Sequence, residues 1–157
     1  MSQPQTQRLF SVISGLWVGS FITVGFLVVP ILFSTLGDRQ VAGMVAASLF
    51  KTTAYISVAL SGFLMVMANH LVRRGNQTYR LIRWILLAML SCAIAFAFIV
   101  IPWMNALREQ ALFAGLTIYE SSQWALFNRL HTLSSFLFVL QSVLGIFLVW
   151  QATKNAD

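Results

Sequence analysis

Residues 127–135 read Phe127-Asn128-Arg129-Leu130-His131-Thr132-Leu133-Ser134-Ser135, and from Thr132 to Thr153 the chain carries no Asp, Glu, Lys, Arg or His. That uncharged run is 22 residues long, and three others precede it: Leu9–Leu36 with 28, Thr52–Asn69 with 18 and Trp84–Leu107 with 24. Crossing the hydrocarbon core takes roughly 20 apolar residues, with about 17 as the lower end. All four runs pass, the second narrowly. Lipid offers backbone N–H and C=O groups no partners, so each run must satisfy its own as a helix. Composition agrees. Of 157 residues, 59% are hydrophobic and only 9% charged, with mean hydropathy +0.81, whereas a soluble domain is about a quarter charged. The reading is an all-α membrane protein, a four-transmembrane-helix bundle in a single domain over 1–157, with spans near 9–33, 53–72, 81–104 and 126–150.

The net charge of +6 does not point to nucleic acid, because the basic residues sit at the ends of the runs rather than on one face. Sorted by side, Arg8, Arg73, Arg74, Arg80, Arg83 and Lys154 oppose Arg39, Lys51, Arg108 and Arg129. Asp38, Glu109 and Glu120 share the second side and Asp157 the first. Lys and Arg in short loops mark the cytoplasmic face, which places both termini in the cytoplasm. The first run is too long for the apolar region of a cleaved signal peptide. Cys92 lies mid-run among apolar residues, so no disulfide framework exists, and it reads as a small core hydrophobe.

Along the chain, Met1–Gln7 is polar and reads as a frayed tail. In the first span Ser11, Gly15, Gly19 and Thr23 recur every four residues. Small residues allow close backbone approach in lipid, so this stripe is expected to pack within the bundle. Pro30 marks a kink near the outer end. Asp38 is placed to cap the next helix. Val41, Met44, Val45 and Leu49 at helical spacing suggest a short interfacial helix between the first and second spans, either separate or running straight into the second. Asn69 and His70 lie at the inner end of the second span, and Arg74-Gly75-Asn76 signals a reversal. Asn105–Gln123 is the longest extramembrane segment, with a helical turn around Ala106–Phe113. Trp84, Trp103, Trp124 and Trp150 fall near predicted interfaces, and Trp17 lies deeper. Phe26-Leu27-Val28-Val29-Pro30 matches Phe98-Ile99-Val100-Ile101-Pro102, and Leu49-Phe50 matches Leu126-Phe127. Such a pattern fits duplication of a two-helix unit, although apolar stretches also align by chance.

The chemistry-bearing residues gather on the fourth span. Stepping by three and four gives Asn128, His131, Ser135, Phe138, Ser142, Gly145 and Val149, with Ser134 and Gln141 beside the seam. Polar groups inside a membrane face the bundle or a wet cavity, so this seam is expected to be buried against the first two spans and to bond across helices. Other readings are weaker. His70 and His131 lie at opposite ends of a roughly 30 Å span and cannot share a haem iron. His131 with Glu109, Glu120 and Asp38 makes a chemically reasonable metal set without metal-site spacing. Ser134 or Ser135 beside His131 lacks a nucleophile elbow. No acid or base sits at mid-membrane, where coupled transporters usually keep one. The candidate residues are therefore Asn128, His131, Ser134, Ser135 and Gln141, with no catalytic residue, cofactor or metal assigned.

The chain resembles the transmembrane-protein-205-like family of small four-helix membrane domains. Carriers of the likeness are Gly15-Leu16-Trp17-Val18-Gly19, Pro30-Ile31-Leu32-Phe33, Ala42-Gly43 with Leu49-Phe50, and above all Phe127–Ser135, similar to that family's aromatic–Leu-His–Ser signature. The resemblance implies four spans in a bacterial plasma (inner) membrane, with His131 and Ser134 or Ser135 as characteristic polar positions. It implies no activity. The expectation is a non-enzymatic scaffold or partner-binding protein, the alternative being a small transporter or permeation protein for metal ions or small solutes. Its expected partners are the lipid bilayer and either a second copy or another membrane protein, not nucleic acid.

Overall fold

A computed structural model describes residues 3–154; Asp157, counted above with the termini, lies outside them. The described residues form α1 (Gln3–Thr23), α2 (Val29–Thr35), α3 (Arg39–Arg73), α4 (Tyr79–Ala95), α5 (Ile101–Phe113) and α6 (Trp124–Thr153). Single π-helical turns, Val24–Val28 and Phe96–Val100, fuse α1 to α2 and α4 to α5. Four rods result, each long and apolar enough to cross a membrane, in the arrangement of a multi-pass membrane protein. Large apolar side chains such as Leu16, Phe63, Trp84, Phe98, Val143 and Trp150 point outward from all four rods. Water would penalise such a surface, and lipid does not.

The rods form a four-membered ring. α1 packs on α3 and α6, and α4 packs on the same two helices. The main core lies toward the end that carries the termini, where Phe10, Phe21, Leu64, Leu71, Ile82, Leu86, Met89 and Leu148 are buried together. A smaller cluster, Leu107, Ala111, Ile118, Phe127 and Leu130, closes the opposite end, here called the loop end.

Each boundary has a local cause. Asp38 accepts hydrogen bonds from the amides of Gln40 and Val41 (2.7 and 3.3 Å), satisfying donors that open α3. Gly75 and Gly115 have φ of 95° and 71°, a region open to glycine because it has no Cβ. Around them Asn76 donates back to the Leu71 carbonyl and Leu116 to that of Ala111, which closes the ends of α3 and α5 with the same motif. The reversal read at Arg74-Gly75-Asn76 is thus present.

One expectation changes and two are sharpened. Residues 3–7 are helical rather than frayed, Pro4 in the first turn removing no helical hydrogen bond; Met1 and Ser2 of the expected tail lie outside the described residues. The stretch read as an interfacial helix takes the second of its two expected forms, running straight into the second span as the opening turns of α3. It buries Ala42 and Ala46 and turns Val41, Met44 and Val45 outward. The helical turn expected at Ala106–Phe113 likewise continues the third rod.

The two matched Phe–Pro segments share one conformation. Val29 N–H donates to the Val24 carbonyl and Ile101 N–H to that of Phe96, five residues back in both cases. A proline ring collides with the carbonyl four residues earlier in a regular helix. The widened turn before Pro30 and before Pro102 takes up that collision, so both rods continue past their prolines without breaking. The second part of the match does not carry over, because Leu49 lies well inside α3 whereas Leu126 is in the first turn of α6.

Candidate functional site

The buried face of α6 comprises Phe127, Leu130, Ser134, Gln141, Ser142, Gly145, Leu148 and Ala152. Of the expected seam, Ser134, Gln141, Ser142 and Gly145 are inside, Phe138 is half-buried, and Asn128, His131 and Ser135 are exposed. The expectation of burial against neighbouring spans therefore fails at the loop end. The true stripe passes one residue earlier there, through Phe127, Leu130 and Ser134, a rotation of about 100° around the helix.

The cause lies in the first rod. Along its terminal half, α1 presses against α6: a Cβ on Gly145 would sit 3.0 Å from Val18 and 3.1 Å from Phe21. One further contact comes at Gly25, where a Cβ would overlap the Phe138 ring. Beyond that point the π turn and Pro30 carry α2 away. α2 packs on α3 and scarcely on α6, and neither the π turn nor α2 has a buried residue. At this level α2 gives α6 little cover, and Asn128, His131 and Ser135 are exposed on α6 at the loop end.

The hydroxyls along this strip tolerate exposure because they are satisfied locally. Ser134 and Ser135 donate to the His131 carbonyl (2.7 and 3.0 Å) and Thr132 to that of Asn128 (2.9 Å). Such back-bonding is the usual solution for a hydroxyl on a helix. Among the described residues the side chains of Asn128 and His131 have no such bond. Both serines bond the His131 carbonyl, and among the described residues neither is bonded to the His131 ring.

Deeper in the bundle, Trp17 Nε1 donates to Ser57 Oγ at 3.1 Å, with both residues buried. This explains the one tryptophan that departs from the interfacial belt: its polar edge is satisfied inside, while Trp84, Trp103 and Trp150 are exposed. Near this pair lies a cavity of about 20 Å³, lined by Ser57, Thr53 and Gln141 and walled by Phe21, Phe50, Phe96 and Phe138. It has room for about one water. Gln141, 8% exposed, makes no hydrogen bond to another described residue. Sequence reading missed Ser57 as the tryptophan's acceptor, because pairing across 40 positions requires knowing which helices touch.

The small-residue stripe of the first span is also redirected. Gly15 and Gly19 have open space where a Cβ would go, so they are not the intramolecular contact face. Close approach falls instead to Gly145, already on the seam read along the fourth span, and to Gly25, which sequence spacing did not single out. His70 is exposed at the terminal end of α3, far from His131. Among the described residues no three His, Cys, Asp or Glu side chains converge as a metal site would require.

A family model described as a domain of unknown function (DUF4149) matches residues 12–112, most of the chain. The chain belongs to this family. No curated protein and no solved structure matches it. The DUF4149 segment begins within α1 and ends at α5, so it takes in the Trp17–Ser57 pair and both π turns. It leaves α6, with Asn128, His131 and Ser135, beyond its end.

Proposed function

We propose that this DUF4149 protein is a non-enzymatic partner-binding or scaffold protein of a bacterial inner membrane, with both termini in the cytoplasm. Its docking face is the strip Asn128, His131 and Ser135 on α6. One observation carries this reading: these polar residues face out of the bundle near one end of a membrane-spanning helix, where α2 has moved away. Polar side chains on the lipid face are costly and are normally covered by another helix or by water. A transmembrane segment of a second copy, or of another membrane protein, packed on this strip would supply hydrogen-bond partners to Asn128 and His131. Gly15 and Gly19 of α1, with open space where a Cβ would go, are free for a partner helix, since glycines let helices approach closely. The likeness of Phe127–Ser135 to the transmembrane-protein-205-like signature belongs to this proposal and lies on the same strip.

The test is site-specific photo-crosslinking in native membranes, with the reactive group placed at residue 131, at residue 135 and, as a control, at the outward apolar Val143. The reading requires a discrete crosslinked species from 131 and 135 that Val143 does not yield. Equal lipid labelling at all three positions refutes it. The transport alternative draws on the Gln141 cavity farther along the same helix, and predicts solute flux in proteoliposomes that Gln141→Leu abolishes.

A further inference from the structure

We propose that the loop end holds a binding site for a phosphate group, built around Arg39 and Arg108. The opening turns of α3 bring Arg39 and Gln40 to one side of a cleft, α5 brings Arg108, and the 114–123 connection brings Tyr119. Phe127 at the start of α6 forms the floor, and Gly43 leaves open space in the α3 wall. The Arg108 guanidinium lies 5.5 Å above the Phe127 ring centre, a favourable cation–π placement that holds the side chain in position. It donates a hydrogen bond to Asn105 Oδ1 at 3.2 Å, leaving N–H groups over for a ligand.

The cations of this cleft lack a counter-ion. Among the described residues neither arginine forms an ion pair. Of the acids at this end, two are hydrogen-bonded to other groups and the third is exposed. Asp38 accepts from the α3 amides, Glu120 from the Thr117 amide and hydroxyl, and Glu109 is exposed on α5. Two guanidiniums in one cleft repel each other, and a half-buried one forgoes part of its hydration. An oxyanion removes both penalties, because each planar guanidinium matches two oxygens and phosphate offers enough oxygens for both. Gln40 and Tyr119 add neutral donors.

Size narrows the ligand. The cleft holds a cavity of about 20 Å³ that is partly open to solvent, close to the space of one water. It therefore admits phosphate oxygens while the rest of the molecule stays outside. The site also lies at the same end as Trp103 and Trp124, the level at which interfacial tryptophans meet headgroups. The phosphate is accordingly carried either by an anionic phospholipid headgroup or by a soluble phosphate ester.

The experiment is thermal unfolding of the full chain, first in neutral detergent with inorganic phosphate or glycerol phosphate, then with phosphatidylglycerol titrated into the micelles. A rise in Tm with soluble phosphate assigns a soluble ligand, and a rise with phosphatidylglycerol alone assigns a lipid; either supports the site. Arg39→Gln should leave the unliganded Tm unchanged, because Arg39 is exposed, and should weaken the apparent affinity about tenfold, the order expected for one charged hydrogen-bond partner. Arg108→Lys, which keeps the charge and loses the fork, should weaken it as well. Arg80→Gln, at the opposite end, should not. The proposal is overturned if neither ligand raises Tm, or if Arg39→Gln and Arg80→Gln respond alike.

Discussion

Replacing Gly25 by Ala tests the joint at which α1 and α6 part. In an ordinary exposed helix this change favours folding by about 1 kcal/mol, the difference in helix propensity. Here the new methyl would occupy the space of the Phe138 ring. That ring cannot move freely, since it stands 6.2 Å from Phe21, 5.5 Å from Phe26 and 5.5 Å from Phe50, measured between ring centres. Displacing it weakens three aromatic pairs, each worth about 0.5–1.5 kcal/mol beyond its buried area. The loss outweighs the propensity gain, and Gly25→Ala should destabilise the protein by about 1–3 kcal/mol, the usual range for overpacking. With Phe138→Leu already present, the obstacle is gone and Gly25→Ala should become neutral or stabilising by up to about 1 kcal/mol. The assay is reversible denaturation of all four variants in mixed micelles, analysed as a double-mutant cycle. If Gly25→Ala stabilises the wild-type background, or costs the same with Leu at 138, the contact is not as described.

The same geometry sets three further outcomes. Trp17→Phe and Ser57→Ala should each destabilise, and their cycle should return a coupling of about 0.6 kcal/mol, typical of a hydrogen bond between membrane helices; additive effects would mean that the bond is not formed. Tyr79 is fully buried and its hydroxyl has no partner among the described residues, so Tyr79→Phe should raise stability by about 1 kcal/mol in the same denaturation assay. The Thr117 amide and hydroxyl hold the Glu120 carboxylate below its ordinary value of 4.5. The native state then binds its proton less readily than the unfolded chain, so this stabilisation is present above pH 4.5 and fades as pH falls through the lower native value. The protection of the Thr117 amide, taken relative to its intrinsic exchange rate at each pH, should fall on acidification in the wild type and be low at every pH in Glu120→Gln.

Much of the fold is legible in the sequence because lipid imposes a simple rule: uncharged runs of sufficient length become helices. Asp38, Gly75 and the two prolines mark boundaries by chemistry that acts within a few residues. What escapes is the rotation of each helix about its own axis. On α6 polar and apolar residues alternate around the whole circumference, so the intuition that polarity faces inward chose Asn128, His131 and Ser135 over Phe127, Leu130 and Ser134. The choice succeeds at Gln141 and Ser142, deep in the bundle, where lipid exposure is most expensive. It fails near the loop end, where α2 diverges and cost no longer dictates direction. The glycines of the first span mislead for a related reason. A small residue permits close approach, but only the neighbouring helix decides whether approach occurs. Gly145 meets Val18, whereas Gly15 and Gly19 meet nothing within the chain.

The central claim is that the Asn128–His131–Ser135 strip is uncovered by the protein's own helices and available to a partner. Its most direct test is thiol labelling of His131→Cys in a Cys92→Ala background, compared between purified protein and native membranes. Rapid maleimide modification is expected in purified protein, with protection in native membranes. Slow modification of purified, monomeric protein would show that its own helices cover the strip, and would contradict the claim.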